Sequence, residues 1–126
     1  MSKGMMTEIG REKFCKAHAG DISLPKVKYM VFGDGGVDSN KNPIAPLGTE
    51  VSLRNELLRK EINSHTYPVN TTCRYTMTLE KGELEGKYIS EMGLIDVEGD
   101  LIAYETFLAK GKDGDMRFIF DLDEIF

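Results

Sequence analysis

Two glycine-punctuated segments constrain this chain more than any other feature. Phe32-Gly33-Asp34-Gly35-Gly36 closes one apolar run. Ile89-Ser90-Glu91-Met92-Gly93-Leu94-Ile95-Asp96 carries another through a turn into Gly99-Asp100-Leu101-Ile102-Ala103. Apolar runs bounded by glycine and carboxylate are strands that end in shaped turns. Neither segment sets a nucleophile beside a base, so the pattern fits a scaffold better than a catalyst.

The rest of the chain is organised around these strands. Thr7 to Ala19 reads as a helix, with Thr7 as N-cap, Glu8 at the positive end of the dipole and Gly20-Asp21 as the stop. Ile9, Lys13 and Ala17 share one stripe of it, and Gly10 weakens it by about 1 kcal/mol relative to alanine. After Pro25 a strand should point Val27, Tyr29 and Val31 one way and Lys26 and Lys28 the other. Asp38 to Gly48, with two prolines, is a long loop. Thr49 is expected to cap a short helix over Glu50 to Leu58, with a strand near Arg59 to Thr66 and a break at Tyr67-Pro68-Val69-Asn70. Cys73, Tyr75, Met77 and Leu79 alternate with Arg74, Thr76, Thr78 and Glu80, giving a strand with one buried and one wet face. Gly93 inside a strand predicts a bulge or a close backbone approach. Glu98-Gly99 and Asp113-Gly114 are hairpin signals. Leu101 to Leu108, apolar on both parities, predicts a strand covered on both faces. The last strand should set Met116, Phe118, Phe120 and Leu122 opposite Arg117, Ile119, Asp121 and Asp123.

The expected fold class is therefore α+β: a largely antiparallel β-sheet of sandwich or open-barrel form, an N-terminal helix and one short helix. All 126 residues fit a single domain. The structural turns are expected at Gly33, Asp34, Gly35, Gly36, Gly93, Gly99 and Gly114.

Charge and composition narrow the function classes. A net charge of −5 without a run of lysine and arginine argues against a nucleic-acid partner. No segment approaches the about 20 apolar residues of a membrane span. The N-terminal residues have no apolar stretch typical of a signal peptide, which favours synthesis in a reducing cytoplasm and free, buried thiols at Cys15 and Cys73.

Each chemically suggestive motif has a plainer reading. The Gly33–Gly36 run lacks the helix that a phosphate-binding loop needs, which leaves a turn with glycines at positive φ. The turn carboxylates lack the spacing of a calcium loop and suit solvated sheet edges, so no metal or other cofactor is expected. His18 and His65 are the only imidazoles, and a Cys73–His65 pair has no local support. No catalytic residue is assigned, and the chain is read as a non-enzyme. Glu56 and Glu91 stand among apolar residues, and a carboxylate drawn inward must be paired or protonated. Glu91 is expected to clamp its strand to the Leu53–Leu58 segment, with Arg54, Arg59 and Arg74 as candidate partners; the alternative is that it faces water. Phe118, Phe120, Ile125 and Phe126 offer more apolar surface than one small sheet hides, so they either complete the core or meet a neighbouring subunit.

Four motifs taken in order, Phe32-Gly33-Asp34-Gly35-Gly36, Leu53-Arg54-Asn55-Glu56, Glu91-Met92-Gly93-Leu94 and Gly99-Asp100-Leu101-Ile102-Ala103, resemble the N-terminal domain of phage tail-collar fibre proteins. The likeness runs from about Thr7 to Leu108. It implies a virion structural protein of a phage or prophage tail, made in the bacterial host cytoplasm, that joins a fibre to the baseplate or collar within a symmetric oligomer. It implies protein–protein contacts with other tail proteins, and neither enzymatic activity nor a cofactor. Family members commonly continue into a shaft and receptor-binding tip, and this chain ends at Phe126, so receptor binding does not carry over. Contact surfaces are expected along Gly33–Gly48 and the final strand. The alternative function is a small ligand- or glycan-binding domain built on Tyr67, Tyr75, Tyr88 and Tyr104. A small hydrolase or metal enzyme using the turn carboxylates is a third.

Overall fold

The computed structural model describes residues 2–126, and of Ser2 and Lys3 only the backbone. Met1, part of the single-domain expectation, lies outside the described residues. Elements follow in the order β1 (Ser2–Lys3), β2 (Met5–Met6), α1 (Glu8–His18), β3 (Val27–Gly33), β4 (Glu56–Glu61), β5 (His65–Val69), β6 (Thr72–Leu79), β7 (Tyr88–Asp96), β8 (Leu101–Gly111) and β9 (Phe118–Ile125). They form a four-stranded sheet, β1-β9-β6-β5, and a five-stranded sheet, β2-β8-β7-β3-β4. Every pairing is antiparallel except β1 with β9. The sheets do not close into a barrel.

The two sheets face each other across one core. Met30, Phe32, Met92, Leu94 and Ala103 from the five-stranded sheet meet Met77, Leu79, Phe120 and Leu122 from the four-stranded sheet. The alternation read in β6 and β9 therefore supplies the inner face of the smaller sheet. The larger sheet is buried on its other face too, where Val31, Ile95, Leu101 and Tyr104 pack with Leu53. In β3, Tyr29 and Val31 share this outer face, while Val27 turns to the inner core because the register shifts between Val27 and Tyr29.

The helix forms as its residues dictate. Thr7 Oγ1 accepts the Gly10 N–H at 3.1 Å and donates to the Leu101 carbonyl at 2.6 Å, so the N-cap also fastens the helix to β8. Gly10, a poor helix former, is the contact point: a Cβ there would stand 2.8 Å from the Ile102 carbonyl oxygen.

Three expectations change. Among the described residues no second helix forms. Residues 48–55 run as irregular chain, and β4 begins at Glu56 as an edge strand on β3. The reason is that Glu91 takes the Arg54 and Asn55 N–H groups, which a helix over 50–58 would bond to its own carbonyls, while Glu50 turns back to accept from Leu47 and Gly48. Tyr67-Pro68-Val69 belongs to β5, an edge strand where proline is tolerated, and the expected break is only an interruption of its pairing between Thr66 and Val69 followed by the turn at Asn70. Asp113-Gly114 joins no hairpin. The strands it separates, β8 and β9, lie in different sheets, because the buried Lys112 donates to the Glu80 and Asp113 carbonyls and draws the chain across the sandwich. The start of the chain was not read as strand, yet β1 and β2 each lengthen a different sheet. Gly4 crosses between them, with no room for a Cβ against Leu122.

Candidate functional site

The glycine motifs converge on one buried carboxylate. Glu91, in the middle of β7, has no exposed surface. Its Oε2 accepts N–H groups from Gly35 at 2.8 Å and Asn55 at 2.9 Å; its Oε1 accepts the Arg54 N–H at 2.9 Å and the Tyr104 hydroxyl at 2.8 Å. Four donors thus satisfy a charge that burial would otherwise make costly. Asn55 Nδ2 closes the circuit on Asp34 Oδ1 at 2.6 Å. Burial, followed by the bond to Glu91, holds the Tyr104 hydroxyl well above its usual pKa, so it stays a donor at neutral pH.

The clamp between β7 and the Arg54–Asn55 segment is therefore made of backbone N–H groups, not guanidinium groups. Arg59 instead holds Glu56, at 2.9 Å, on the partly exposed edge of β4. Arg74 holds the buried Asp123, at 3.0 Å, on the four-stranded sheet. Glu56, expected to turn inward, stays at the surface.

Gly33, Gly35 and Gly36 are glycines because of this node. None has positive φ, contrary to the turn reading. A Cβ on Gly33 would stand 2.6 Å from Glu91 Oε2, one on Gly35 2.5 Å from the Arg54 Cβ, and one on Gly36 would run into the Ser90 carbonyl. The backbone has to pass this closely for the Gly35 N–H to reach Glu91 and the Gly36 N–H to reach Ser90 Oγ at 2.9 Å. Gly93 is likewise a close approach, 2.7 Å from a virtual Cβ to the Ala103 carbonyl. Gly99 does have positive φ, at 90°, in the β7–β8 hairpin. Gly114 does not; a side chain there would meet Glu85.

That hairpin carries a second charged cluster, which the sequence reading missed. Lys13 of α1 places its ammonium 2.6 Å from Asp96, 2.8 Å from Glu98 and 2.6 Å from Asp100. These three carboxylates can bring oxygens close enough together to hold a cation, and the lysine supplies one from within the chain. Burial pulls the Lys13 pKa down, but the hydrogen bonds it donates to Asp100, Asp96 and Glu98 outweigh it and the group stays charged above its ordinary range. The available signal was a lysine inside the apolar stripe of the helix.

The remaining candidates are dispersed. Cys15 is exposed and Cys73 half-buried, and both are free, so the burial expected of them fails for Cys15 and is only partial for Cys73. Burial and the nearby Glu124 and Asp123 push the Cys73 thiol up, the reverse of an activated nucleophile. Of the four tyrosines of the ligand-binding alternative, Tyr104 is engaged with Glu91, Tyr88 is exposed on β7, and Tyr67 and Tyr75 border one cavity, so they form no single platform. Phe120 lies in the core and Phe118 packs against it. Ile125 and Phe126 remain exposed, with the Phe126 ring 5.4 Å from Phe14. Ile125 and Glu124 share a groove of about 780 Å³ with Met5, Pro46, Leu47 and Gly48. No helix among the described residues is long and apolar enough to cross a membrane.

Comparison with known proteins places this arrangement. No curated protein matches the chain. The profile of the phage tail-collar fibre protein N-terminal family matches residues 1–112. The four motifs that carry that likeness lie inside the match. Three of them donate to, or contain, the Glu91 carboxylate, and the fourth, Gly99–Ala103, closes the hairpin that Lys13 holds. The chain belongs to the phage tail-collar fibre protein family, whose N-terminal domain it carries.

Proposed function

We propose that this structural component of a phage tail attaches a fibre to the baseplate or collar through protein–protein contacts, as a homo-oligomer and without catalysis. It is made in the host cytoplasm before joining the virion, and needs neither nucleic acid nor membrane. One observation carries the reading. The two surfaces expected to make contacts, the end of the Gly33–Gly48 stretch and the final strand, border the same groove. Leu47 is 76% exposed and Ile125 48%, with Met5 beside them. Apolar side chains grouped around a concave surface are what a partner covers. The strap that presents Leu47 is itself anchored: Thr106 Oγ1 donates to the Ile44 carbonyl at 2.7 Å, and Glu50 holds the Leu47 and Gly48 N–H groups at 2.8 Å.

Sedimentation of the purified chain, followed by assembly with its tail components, tests this. Wild type should self-associate and enter tails. A Leu47→Asp, Ile125→Asp variant should keep its melting temperature and do neither. A monomeric wild type, or a double variant that assembles normally, would overturn the reading.

A further inference from the structure

At one end of the sandwich the sheets part beneath α1 and leave a cavity of about 410 Å³. That is within the range of small-ligand sites, about 300–1,000 Å³. Cys73 and Tyr75 of β6 and Glu124 of β9 form the four-stranded side. Phe14 of α1 borders it too, and the exposed His65 and Tyr67 of β5 contribute further rings. His65 stands 5.6 Å from Tyr67 and 6.0 Å from Tyr75, centroid to centroid, so three rings form one continuous wall.

Glu124 is the unexplained group. Its side chain points to the inner side of β9, in register with Cys73, and the residue is only 6% exposed. Its carboxyl interacts with the Tyr75 hydroxyl, and Oε2 has no hydrogen-bond partner among the described residues. Lys13 borders the same cavity, but its charge is committed to Asp96, Glu98 and Asp100. A buried acceptor left without a donor costs about 1–3 kcal/mol, and more if charged.

We propose that this cavity binds an organic ammonium group, its N–H donating to the Glu124 carboxylate and its alkyl stem lying against the Tyr67 and Tyr75 rings. A neutral alcohol could supply a donor. Only a cation also gains from the ring faces and restores charge balance at the carboxylate. Glu124 also borders the proposed attachment groove, from which this site differs in its aromatic wall, and the titration reads binding without requiring assembly.

The experiment is an NMR titration of the full chain with n-butylammonium, with n-butanol as the neutral control and N-acetyl-lysine amide as the side-chain form. Saturable shifts should appear at Tyr67, Tyr75 and Phe14 with n-butylammonium, and binding should be at least about tenfold weaker for the alcohol and for Glu124→Gln. Tyr67→Ala, a change at an exposed edge position, should also weaken binding while leaving the rest of the spectrum in place. Binding of N-acetyl-lysine amide as tight as that of the free amine would point to a lysine of a partner protein; binding of the free amine alone would point to a diffusible amine. Absence of saturable shifts, equal binding of the alcohol, or undiminished binding by both variants would overturn the proposal.

Discussion

At the scale of single residues, Glu91 is the position on which most depends. Removing its carboxylate strands the Gly35, Arg54 and Asn55 N–H groups in a buried site. Glu91→Ala should cost on the order of 3–5 kcal/mol, and the melting temperature should fall by about 10 °C or more. Glu91→Gln is expected to cost nearly as much, because its amide sets a donor against backbone donors. A melting curve for either variant that matches wild type would remove the node from the account. Glu124 behaves in the opposite sense. Burial raises its pKa, with the Tyr75 bond opposing, so the folded chain keeps that proton to a higher pH than the unfolded one. Stability from this residue is thus lost as pH rises above the ordinary value of 4.5. Glu50 and Glu83 are held below that value. Partial burial disfavours the ionised form of both, and hydrogen bonds outweigh the effect: from the Leu47 and Gly48 N–H groups for Glu50, and from Lys60 and the Glu80 N–H for Glu83. Their stabilisation is present above 4.5 and lost as pH falls. Glu124→Gln should therefore melt higher than wild type near neutral pH, with the gap closing in acid. Thermal melts at the two pH values check this, and a gap that widens in acid would contradict it.

At the scale of elements, the glycines divide by mechanism. Gly36→Ala inserts a methyl group into the Ser90 carbonyl and must move β7 or the strap. Gly99→Ala meets open space and bears only the strain of positive φ. The first should cost several kilocalories per mole and the second about 1 kcal/mol. Denaturant unfolding of the two variants orders them, and a Gly99→Ala change as severe as Gly36→Ala would refute the distinction. The strand alternation of β6 and β9, the Thr7 cap and the Glu98-Gly99 hairpin could be read from the sequence because each depends on near neighbours. The absent helix at 50–58 could not. Its N–H groups are taken by Glu91, more than thirty residues away in the chain, and local propensity contains no term for that. Asp113-Gly114 failed in the same way. A two-residue turn signal does not report that a buried lysine will send the next strand to another sheet.

At the scale of the whole molecule, the start of the chain holds the sheets together along one edge. β1 pairs with β9 in one sheet, β2 with β8 in the other, and Gly4 lies on Leu122 and Ala103 between them. Removing residues 1–6 should uncover that edge of the core and cost about 2 kcal/mol or more, and the melting temperature should fall by at least about 5 °C. An unchanged melting temperature for the truncated chain would show that the edge is closed without them. The same truncation removes Met5 from the attachment groove, so the loss of stability and the loss of self-association are best read on separate variants.

The sequence by itself determined the faces of β6 and β9, the capped helix, the glycine positions and the family, because periodicity, caps and motif order are properties of neighbours along the chain. Only the tertiary structure decided why those glycines are there, that Glu91 is held by backbone N–H groups, and that Lys13 closes the acidic hairpin. These depend on how closely distant segments pass one another, and a buried charge selects its partners by that proximity rather than by spacing in the chain.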